Sequence, residues 1–398
     1  AGNGDHQGSG RVGGDGVMKV SLTDICDFQG GTQPPKDEWI DQPAQGYVRM
    51  LQIRDFTQSD KNYIEYVKDT GKLKTCIEDD ILIGRYGASI GKILTGLAGA
   101  YNVAIVKTIP DEKVVSKKYL YWYLNSQYFQ RFISNVGSRA AQAGFNKNDL
   151  GAAQIPLVDK ERQEEICEVL EKANKLISLR KQQLAKLDEL IKARFVEMFG
   201  TFPANPFRWD TGKIQDVVSD VRYGSSRPAV EDGKYPYLRM NNITYSGELD
   251  LRDTKRIDIP DSELDKCTVR RGDVLFNRTN SKELVGKTCV YNRDELMVLA
   301  GFVIRVRVNE RIRSDVLSAF LNMDFSKRML IGMCKTAIGQ ANINAKELQN
   351  IDLYIPPIEL QDQFVALKNK IDQQKQTVQQ SLEKLELLKK ALMQEYFG

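Results

Sequence analysis

The segment DVLFNRTNSKELVGKT, residues 273–288, contains side chains that suit two kinds of chemistry. Its end, residues 286–288, is Gly-Lys-Thr and looks like the tail of a phosphate-binding loop, in which a lysine reaches phosphate oxygens. Its centre, residues 277–281, carries asparagine, arginine, threonine and serine. Arginine and asparagine can each form paired hydrogen bonds with the edge of a base. The segment is therefore a candidate nucleotide site, a candidate DNA contact or an ordinary polar loop.

The phosphate-loop interpretation fails on spacing. Such a loop requires a glycine five residues before its Gly-Lys pair, because the backbone must wrap closely around the phosphates. Ser281 occupies that position here, and Tyr86 occupies it in the related segment GRYGASIGK, residues 84–92. The residues after Thr288, CVYN, are strand-like where a helix would be required. The pattern therefore argues against a nucleotide site.

No other set of residues predicts catalysis or metal binding. The only histidine, His6, lies in residues 1–17, which we expect to be an added, disordered segment outside the fold. The six cysteines are scattered and form no C-x-x-C pair, which indicates reduced thiols and no metal site. No pattern of paired carboxylates typical of a nuclease stands out. We predict no catalytic residues, no metal ligands and no cofactor bound by this chain.

The overall composition is that of a soluble, folded protein. The chain has 398 residues, of which 41% are hydrophobic and 28% are charged. No run of about 18 consecutive apolar residues predicts a membrane span. The formal net charge is only +4. A nucleic-acid partner would therefore require positive charge that is clustered locally.

The sequence contains an internal repeat. The segment KLDELIKARFVEMFG (186–200) matches KLELLKKALMQEYFG (384–398), and DDILIGR (79–85) matches GDVLFNR (272–278). Upstream, YVRMLQI (47–53) matches YLRMNNI (237–243). Several matches in the same order predict two halves built on one plan.

Each half ends in a long helix. Apolar residues recur at alternating spacings of four and three from Ile166 to Met198 and from Phe364 to Glu395. A period of 3.5 residues held over about five heptads is typical of a coiled coil. One interpretation has each helix bury its stripe on its own domain. The favoured one pairs the two helices antiparallel, with the globular domains at opposite ends, because globular helices seldom run so far.

The sequence thus predicts an α+β fold with a pseudo-twofold internal repeat, in which two mixed α/β domains are joined by two long antiparallel coiled-coil helices. Polar and cationic stretches recur at matching places in both domains. Arginine, asparagine and glutamine suit base edges, whereas lysine and serine suit phosphate oxygens. Any one of these residues taken alone is better explained as a solvated loop residue, and the recurrence is what favours DNA.

The candidate DNA contacts in the first half are Arg49, Arg85, Tyr86, Ser89, Lys92, Arg139, Gln142, Asn146 and Lys147. The candidates in the second half are Arg222, Ser225, Ser226, Arg227, Arg239, Asn241, Asn277, Arg278, Thr279, Asn280, Lys287, Gln340, Asn342 and Asn344. Because NRTNSKELVGKT is longer than GRYGASIGK, we expect the two halves to read different sequences.

From about Met18 to Gly398 the chain resembles the specificity subunit of type I restriction-modification systems. The resemblance rests on the repeat, on the paired KL…FG helices and on the DDILIGR and GDVLFNR segments. It also rests on AQAGFNKNDLGAAQIPLVDKERQ and GQANINAKELQNIDLYIPPIELQ, which lead into the helices.

The resemblance implies a division into target-recognition domains at 18–157 and 201–357, a central conserved helical spacer at 158–200 and a C-terminal one at 358–398. Each recognition domain would read one half of a bipartite site in double-stranded DNA. Two methyltransferase (modification) subunits and restriction subunits would bind the chain in the cytoplasm. S-adenosylmethionine, ATP and Mg would belong to those partners. Two alternatives stay open, namely a stand-alone nuclease or methyltransferase and a coiled-coil protein scaffold.

Overall fold

A computed structural model of the chain describes residues 11–12, 18–58, 64–139, 144–337 and 340–398. Two compact units divide the chain between them. The first unit contains the residues up to Leu179 together with Ser381–Gly398, and the second contains Arg180–Gln380. Each unit therefore holds one mixed α/β domain and a part of each long helix.

The first unit contains three sheets. The three-stranded sheet has the order Arg11–Val12, Met18–Ser21, Gln154–Leu157. The five-stranded sheet has the order Trp39–Ile40, Tyr66–Lys68, Tyr47–Leu51, Gly99–Tyr101, Thr75–Cys76. The four-stranded sheet has the order Cys26–Gly30, Ile105–Pro110, Leu82–Gly84, Ile93–Leu94. Its helical elements are Leu22–Ile25, Lys36–Glu38, Ile53–Thr57, Gly87–Ser89, Lys117–Leu124, Gln127–Arg139 and Lys147–Gly151. The strand Arg11–Val12 pairs with Met18–Ser21. Arg11 and Val12 lie in residues 1–17, which the sequence predicted to be disordered.

The second unit contains four sheets. In sheet order, their strands are Asp210–Lys213 and Asp352–Ile355; Val218–Tyr223, Val303–Val308, Val274–Asn277 and Thr288–Val290; Lys255–Ile257, Tyr235–Leu238, Met297–Leu299 and Thr268–Val269; and Thr279–Asn280, Gln340–Asn342 and Lys335–Ala337. Its helical elements are Ile214–Val217, Met240–Asn242, Asp261–Cys267, Ser314–Asn322, Asp324–Met333 and Ala345–Gln349.

The predicted repeat is confirmed by the strand order. In both units the four-stranded sheet that contains the DDILIGR or GDVLFNR strand has the same sequence of neighbours, with the long strand Ile105–Pro110 or Val303–Val308 second. A parallel pair also recurs, as Tyr47–Leu51 with Gly99–Tyr101 and as Tyr235–Leu238 with Met297–Leu299. The other pairings in these sheets are antiparallel. Topology is therefore repeated even where the sequence is not.

The two long helices, Lys160–Phe199 and Ile358–Phe397, are continuous. Within the first unit the start of the first helix packs beside the end of the second, and Lys389 Nζ donates to Asn174 Oδ1 at 2.8 Å. Within the second unit the end of the first helix packs beside the start of the second, and the Phe195 and Phe364 ring centroids are 5.6 Å apart. Both contacts require antiparallel pairing, as predicted.

The buried stripe departs from the predicted heptads along both helices. Ile166, Leu170, Ala173 and Ile177 are buried as expected. Further along, Phe195 and Phe199 are buried in place of Arg194 and Met198. In the second helix the buried positions shift from Gln374 and Ser381 to Lys375 and Leu382. A straight helix drifts against a strict 3.5-residue repeat, and the phenylalanines belong to the core of the second unit.

All six cysteines are free thiols. In the described ranges, no helix has the length and apolar character needed to cross a membrane. The same ranges contain no group of His, Cys, Asp and Glu side chains that could hold a metal ion.

Candidate nucleic-acid interface

Arg278 is fixed by its backbone at the end of a central strand of the second unit. The strand Val274–Asn277 lies between two others, so the chain leaves the sheet at a rigid edge. The Arg278 amide donates to the Phe302 carbonyl at 3.0 Å, and the Ile343 amide donates to the Arg278 carbonyl at 2.9 Å. A side chain held in this way needs little reordering when a ligand arrives.

The Arg278 guanidinium keeps most of its donors uncommitted. It lies 4.9 Å from the ring centroid of Tyr223, a cation–π distance. Its Nη1 makes one long hydrogen bond, 3.4 Å, to the Gly301 carbonyl. Its Nε is buried and has no hydrogen-bond partner among the described residues, so the Nη groups are the donors that remain for a ligand. A planar cation stacked on an aromatic ring, with free N–H groups, is suited to paired contacts with guanine O6 and N7.

Arg85 occupies the equivalent place in the first unit. It directly follows the strand Leu82–Gly84, and its amide donates to the Ala104 carbonyl at 2.8 Å. Its guanidinium lies 5.0 Å from the ring centroid of Tyr86, and its Nε donates to the Phe145 carbonyl at 2.9 Å. Tyr86 pairs with Gly144, where a Cβ would lie 2.5 Å from the Tyr86 ring. Both units thus present an arginine and a tyrosine at the same point of the repeat.

The other candidate arginines with described side chains differ, because each is paired with a carboxylate. The pairs are Arg49 with Asp55 at 3.2 Å, Arg222 with Asp220 at 2.8 Å, Arg227 with Glu263 at 2.7 Å and Arg239 with Asp253 at 2.9 Å. A carboxylate in such a pair occupies one or two of the five N–H donors of its arginine, so fewer remain for a base. No carboxylate in the described part of the chain pairs with Arg85 or Arg278.

The asparagines around Arg278 are committed within the fold. Asn277 is 0% exposed, and its Nδ2 donates to the carbonyls of Thr279 and Phe302 at 3.1 and 3.3 Å. Asn280 donates to Asn277 Oδ1 at 3.0 Å, and Thr279 donates to Asn342 Oδ1 at 2.8 Å. These hydrogen bonds position the backbone that carries Arg278, and they occupy polar atoms of the Asn277, Thr279 and Asn280 side chains.

Lys287 in the Gly-Lys-Thr segment is buried, at 7% exposure, and its Nζ donates to the Met240 carbonyl at 2.8 Å. Burial lowers the pKa of the Lys287 ammonium. Thr288 begins a strand, in agreement with the strand-like pattern. Lys287, which the sequence predicted as a DNA contact, therefore hydrogen-bonds within the domain in this structure.

A second lysine, Lys327, lies against the same segment. Its Nζ donates to the Gly286 carbonyl at 2.6 Å. Burial, together with the nearby charges of Lys192 and Lys287, lowers the pKa of Lys327 to about 7. In the first unit the equivalent hydrogen bond comes from a neutral amide, because Gln130 Nε2 donates to the Gly91 carbonyl at 2.9 Å.

The remaining candidates lie in different environments. Asn146 and Asn344 cap short helices, accepting from the Asp149 and Glu347 amides at 3.1 and 2.9 Å. Ser225 is buried, and exposed Lys147 is ion-paired with Asp27. The side chains that face solvent or are partly exposed, without a carboxylate partner, are Tyr86, Ser89, Lys92, Ser226 and Asn241. Arg139 ends a helix and Gln340 begins a strand, whereas Gln142 lies outside the described residues.

Two residues near Arg278 escaped the sequence analysis. Tyr223 stacks on its guanidinium, and the Tyr223 hydroxyl accepts from the Ala345 amide at 2.8 Å. Phe302 is 53% exposed and its carbonyl accepts from the Arg278 amide. Tyr223 lies beside the candidate Arg222 but was not itself among the predicted contacts, and Phe302 lies outside the polar stretches. Register between the strands Val218–Tyr223 and Val303–Val308 would have been the only signal.

Comparisons with known proteins identify the family of the chain. The family model for the type I restriction modification DNA specificity domain matches residues 14–189 and 206–387. A putative type I restriction enzyme MjaX specificity subunit from Methanocaldococcus jannaschii is 26% identical over 196 residues, which cover 48% of this chain and 46% of that protein. The EcoKI specificity subunit from Escherichia coli K12 is 20% identical over 278 residues, covering 66% and 60%. The matched regions therefore span less than two thirds of these two relatives.

Longer matches exist. The type I restriction enzyme MjaVIII specificity subunit, also from M. jannaschii, is 24% identical over 400 residues and covers 94% of this chain and 90% of that protein. The solved type I restriction-modification S subunit from M. genitalium shares the fold, with a TM-score of 0.54 at 15% identity and 98% of each chain covered. Because the family model matches most of both halves, the chain belongs to the type I restriction modification DNA specificity domain family, with two copies of that domain.

Proposed function

We propose that this chain is the non-catalytic specificity subunit of a type I restriction-modification complex, and that each unit reads one half of a bipartite DNA site. The observation that carries the proposal is the pair of equivalent arginines, Arg85 and Arg278. Each follows a rigid strand, stacks on a tyrosine and lacks a carboxylate partner in the described structure. Both therefore have the geometry of a residue that reads guanine from the major groove.

The partners follow from the proposed role. Double-stranded DNA would occupy both arginine sites, and two methyltransferase subunits, joined by restriction subunits, would bind the chain. S-adenosylmethionine, ATP and Mg would be used by those subunits, in the cytoplasm where the DNA is. Exposed Lys92, Ser226 and Asn241 and partly exposed Ser89 are suited to phosphate contacts, which fix the register of a protein on the duplex.

A gel-shift experiment on a library of bipartite sites tests the proposal. The chain alone and the chain with its methyltransferase subunits are compared at one salt concentration, because affinity for DNA depends steeply on salt. We expect sequence-specific binding with the methyltransferase subunits. Methylation or cleavage by the chain alone would favour a stand-alone enzyme, and assembly without specific DNA binding would favour a scaffold.

We further propose that the two long helices set the spacing between the half-sites. Adding one heptad to both helices at paired positions lengthens each by about 10 Å, which corresponds to about three base pairs. We expect the recognised spacer to lengthen by that amount. A heptad added to one helix alone should disrupt the pairing and the assembly. A paired insertion that leaves the spacer unchanged would contradict the proposal.

A further inference from the structure

Phe302 is a large apolar side chain held at the surface by a rigid turn. The Val303 amide donates to the Ala300 carbonyl at 2.9 Å, which closes the turn. The Gly301 amide donates to the Ser225 carbonyl at 2.7 Å, which ties the turn to a neighbouring segment. Since the ring is 53% exposed, the fold holds it in water rather than in the core.

The turn is also attached directly to Arg278. The Phe302 carbonyl accepts from the Arg278 amide at 3.0 Å and from Asn277 Nδ2 at 3.3 Å. The neighbouring Gly301 carbonyl accepts from the Arg278 guanidinium at 3.4 Å. An apolar ring and a cation with free donors therefore belong to one small, rigid surface. The backbone of Phe302 therefore lies directly beside that of Arg278.

The first unit has the same turn without the ring. The Ile105 amide donates to the Asn102 carbonyl at 3.0 Å, and the Arg85 amide donates to the Ala104 carbonyl at 2.8 Å. Ala104 thus occupies the position that Phe302 holds in the second unit. The repeated fold does not require a large side chain at this position, so the phenylalanine ring is particular to the second unit.

We propose that Phe302 is a specificity-determining residue of the second half-site, and that its ring packs against the 5-methyl group of a thymine beside the guanine that Arg278 reads. The inference rests on the proposed function, because it requires Arg278 to face the major groove. In that groove thymine presents its methyl group beside the hydrogen-bonding edges of the bases, and phenylalanine is among the side chains that contact it. The first unit would lack this contact.

Site selection with the assembled specificity and methyltransferase subunits tests the proposal. We expect the wild-type complex to prefer thymine at one position of the second half-site by about fourfold, the effect of burying one methyl group. Phe302→Ala should lose that preference and leave the first half-site unchanged. Phe207→Ala is the matched control, because Phe207 is another exposed phenylalanine of the second unit.

A second measurement needs no protein variant. Replacing the selected thymine by deoxyuracil removes only the methyl group, and it should weaken wild-type binding about fourfold without affecting Phe302→Ala. Three results would overturn the proposal: no thymine in the second half-site, an equal loss in both proteins, or a Phe302→Ala chain that fails to bind the methyltransferase subunits. Failure of the wild-type complex to select any bipartite site would instead overturn the proposed function.

Discussion

Arg85 and Arg278 occupy the same place in the repeat, yet each is supported by a different tyrosine. Arg85 stacks on Tyr86, its neighbour in the chain, whereas Arg278 stacks on Tyr223, which ends a separate strand. The backbone amides of the two arginines donate to equivalent carbonyls, those of Ala104 and Phe302. The comparison teaches that the repeat preserves where an arginine is presented, while the side chains around it are free to differ.

The Gly-Lys pairs show the same divergence. Gly91 and Gly286 both have positive φ, 76° and 79°, and a neighbouring helix donates to the carbonyl of each. Lys92 after the first glycine is exposed, but Lys287 after the second is buried. A short motif therefore has opposite environments in the two units, and each unit presents a different surface on the same frame.

The largest expected effect comes from exchanging one unit's domain. Replacing residues 201–357 by the corresponding domain of another family member should change one half of the recognised site completely and leave the other half intact. The reason is that each unit has its own core and its own arginine. Mapping of methylated adenines gives the result directly. A change in both half-sites would contradict independent readers.

Lys327→Gln gives the second unit the residue type that the first unit uses at Gln130. Because the pKa of Lys327 is lowered from 10.5 to about 7, the unfolded chain binds a proton that the folded chain lacks between those values. Lys327 therefore makes the free energy of unfolding increase as the pH rises from about 7 to 10.5. The variant should lose this dependence and be more stable near pH 7, by on the order of a few kcal/mol.

Urea denaturation of wild type and variant at a series of pH values measures this difference. Lys346→Gln is the control, because Lys346 is exposed and its loss should leave the pH profile unchanged. A variant whose profile runs parallel to that of wild type from about pH 7 to 10.5 would show that Lys327 is not the group responsible.

A smaller effect is expected at the tyrosines. Tyr223→Leu removes the ring under Arg278, and loss of a cation–π contact at an exposed site costs about 0.5–1 kcal/mol. Binding to the second half-site should weaken about threefold, while Tyr223→Phe, which retains the ring, should weaken less. Tyr86→Leu should produce the same loss at the first half-site only. Filter binding with one half-site altered at a time distinguishes these outcomes.

The repeat and the long helices were predictable because both follow from local patterns in the amino-acid sequence. The heptad spacing around Ile166 needs no knowledge of tertiary contacts, and the paired segments DDILIGR and GDVLFNR each became a central strand. The buried stripe could not be followed to the helix ends, because Phe195 packs into a domain core whose position depends on the whole fold.

The site itself was only partly predictable. Arg85 and Arg278 were found because an arginine follows an apolar strand in both halves. The sequence could not separate them from Arg227 or Arg239, since the carboxylates that pair with those arginines, Glu263 and Asp253, lie elsewhere in the chain. The sequence of a polar segment such as residues 277–281 also does not show which of its side chains form hydrogen bonds within the domain.

Site selection with Arg85→Ala and Arg278→Ala complexes tests the central claim most directly. Each variant should lose discrimination at one guanine, by about 1–3 kcal/mol, in its own half-site only, and nonspecific binding should be nearly unchanged. Arg227→Ala, whose arginine is paired with Glu263, is the control and should leave both half-sites intact. Equal losses in both half-sites, or an unchanged ratio of specific to nonspecific affinity, would contradict two independent arginine readers.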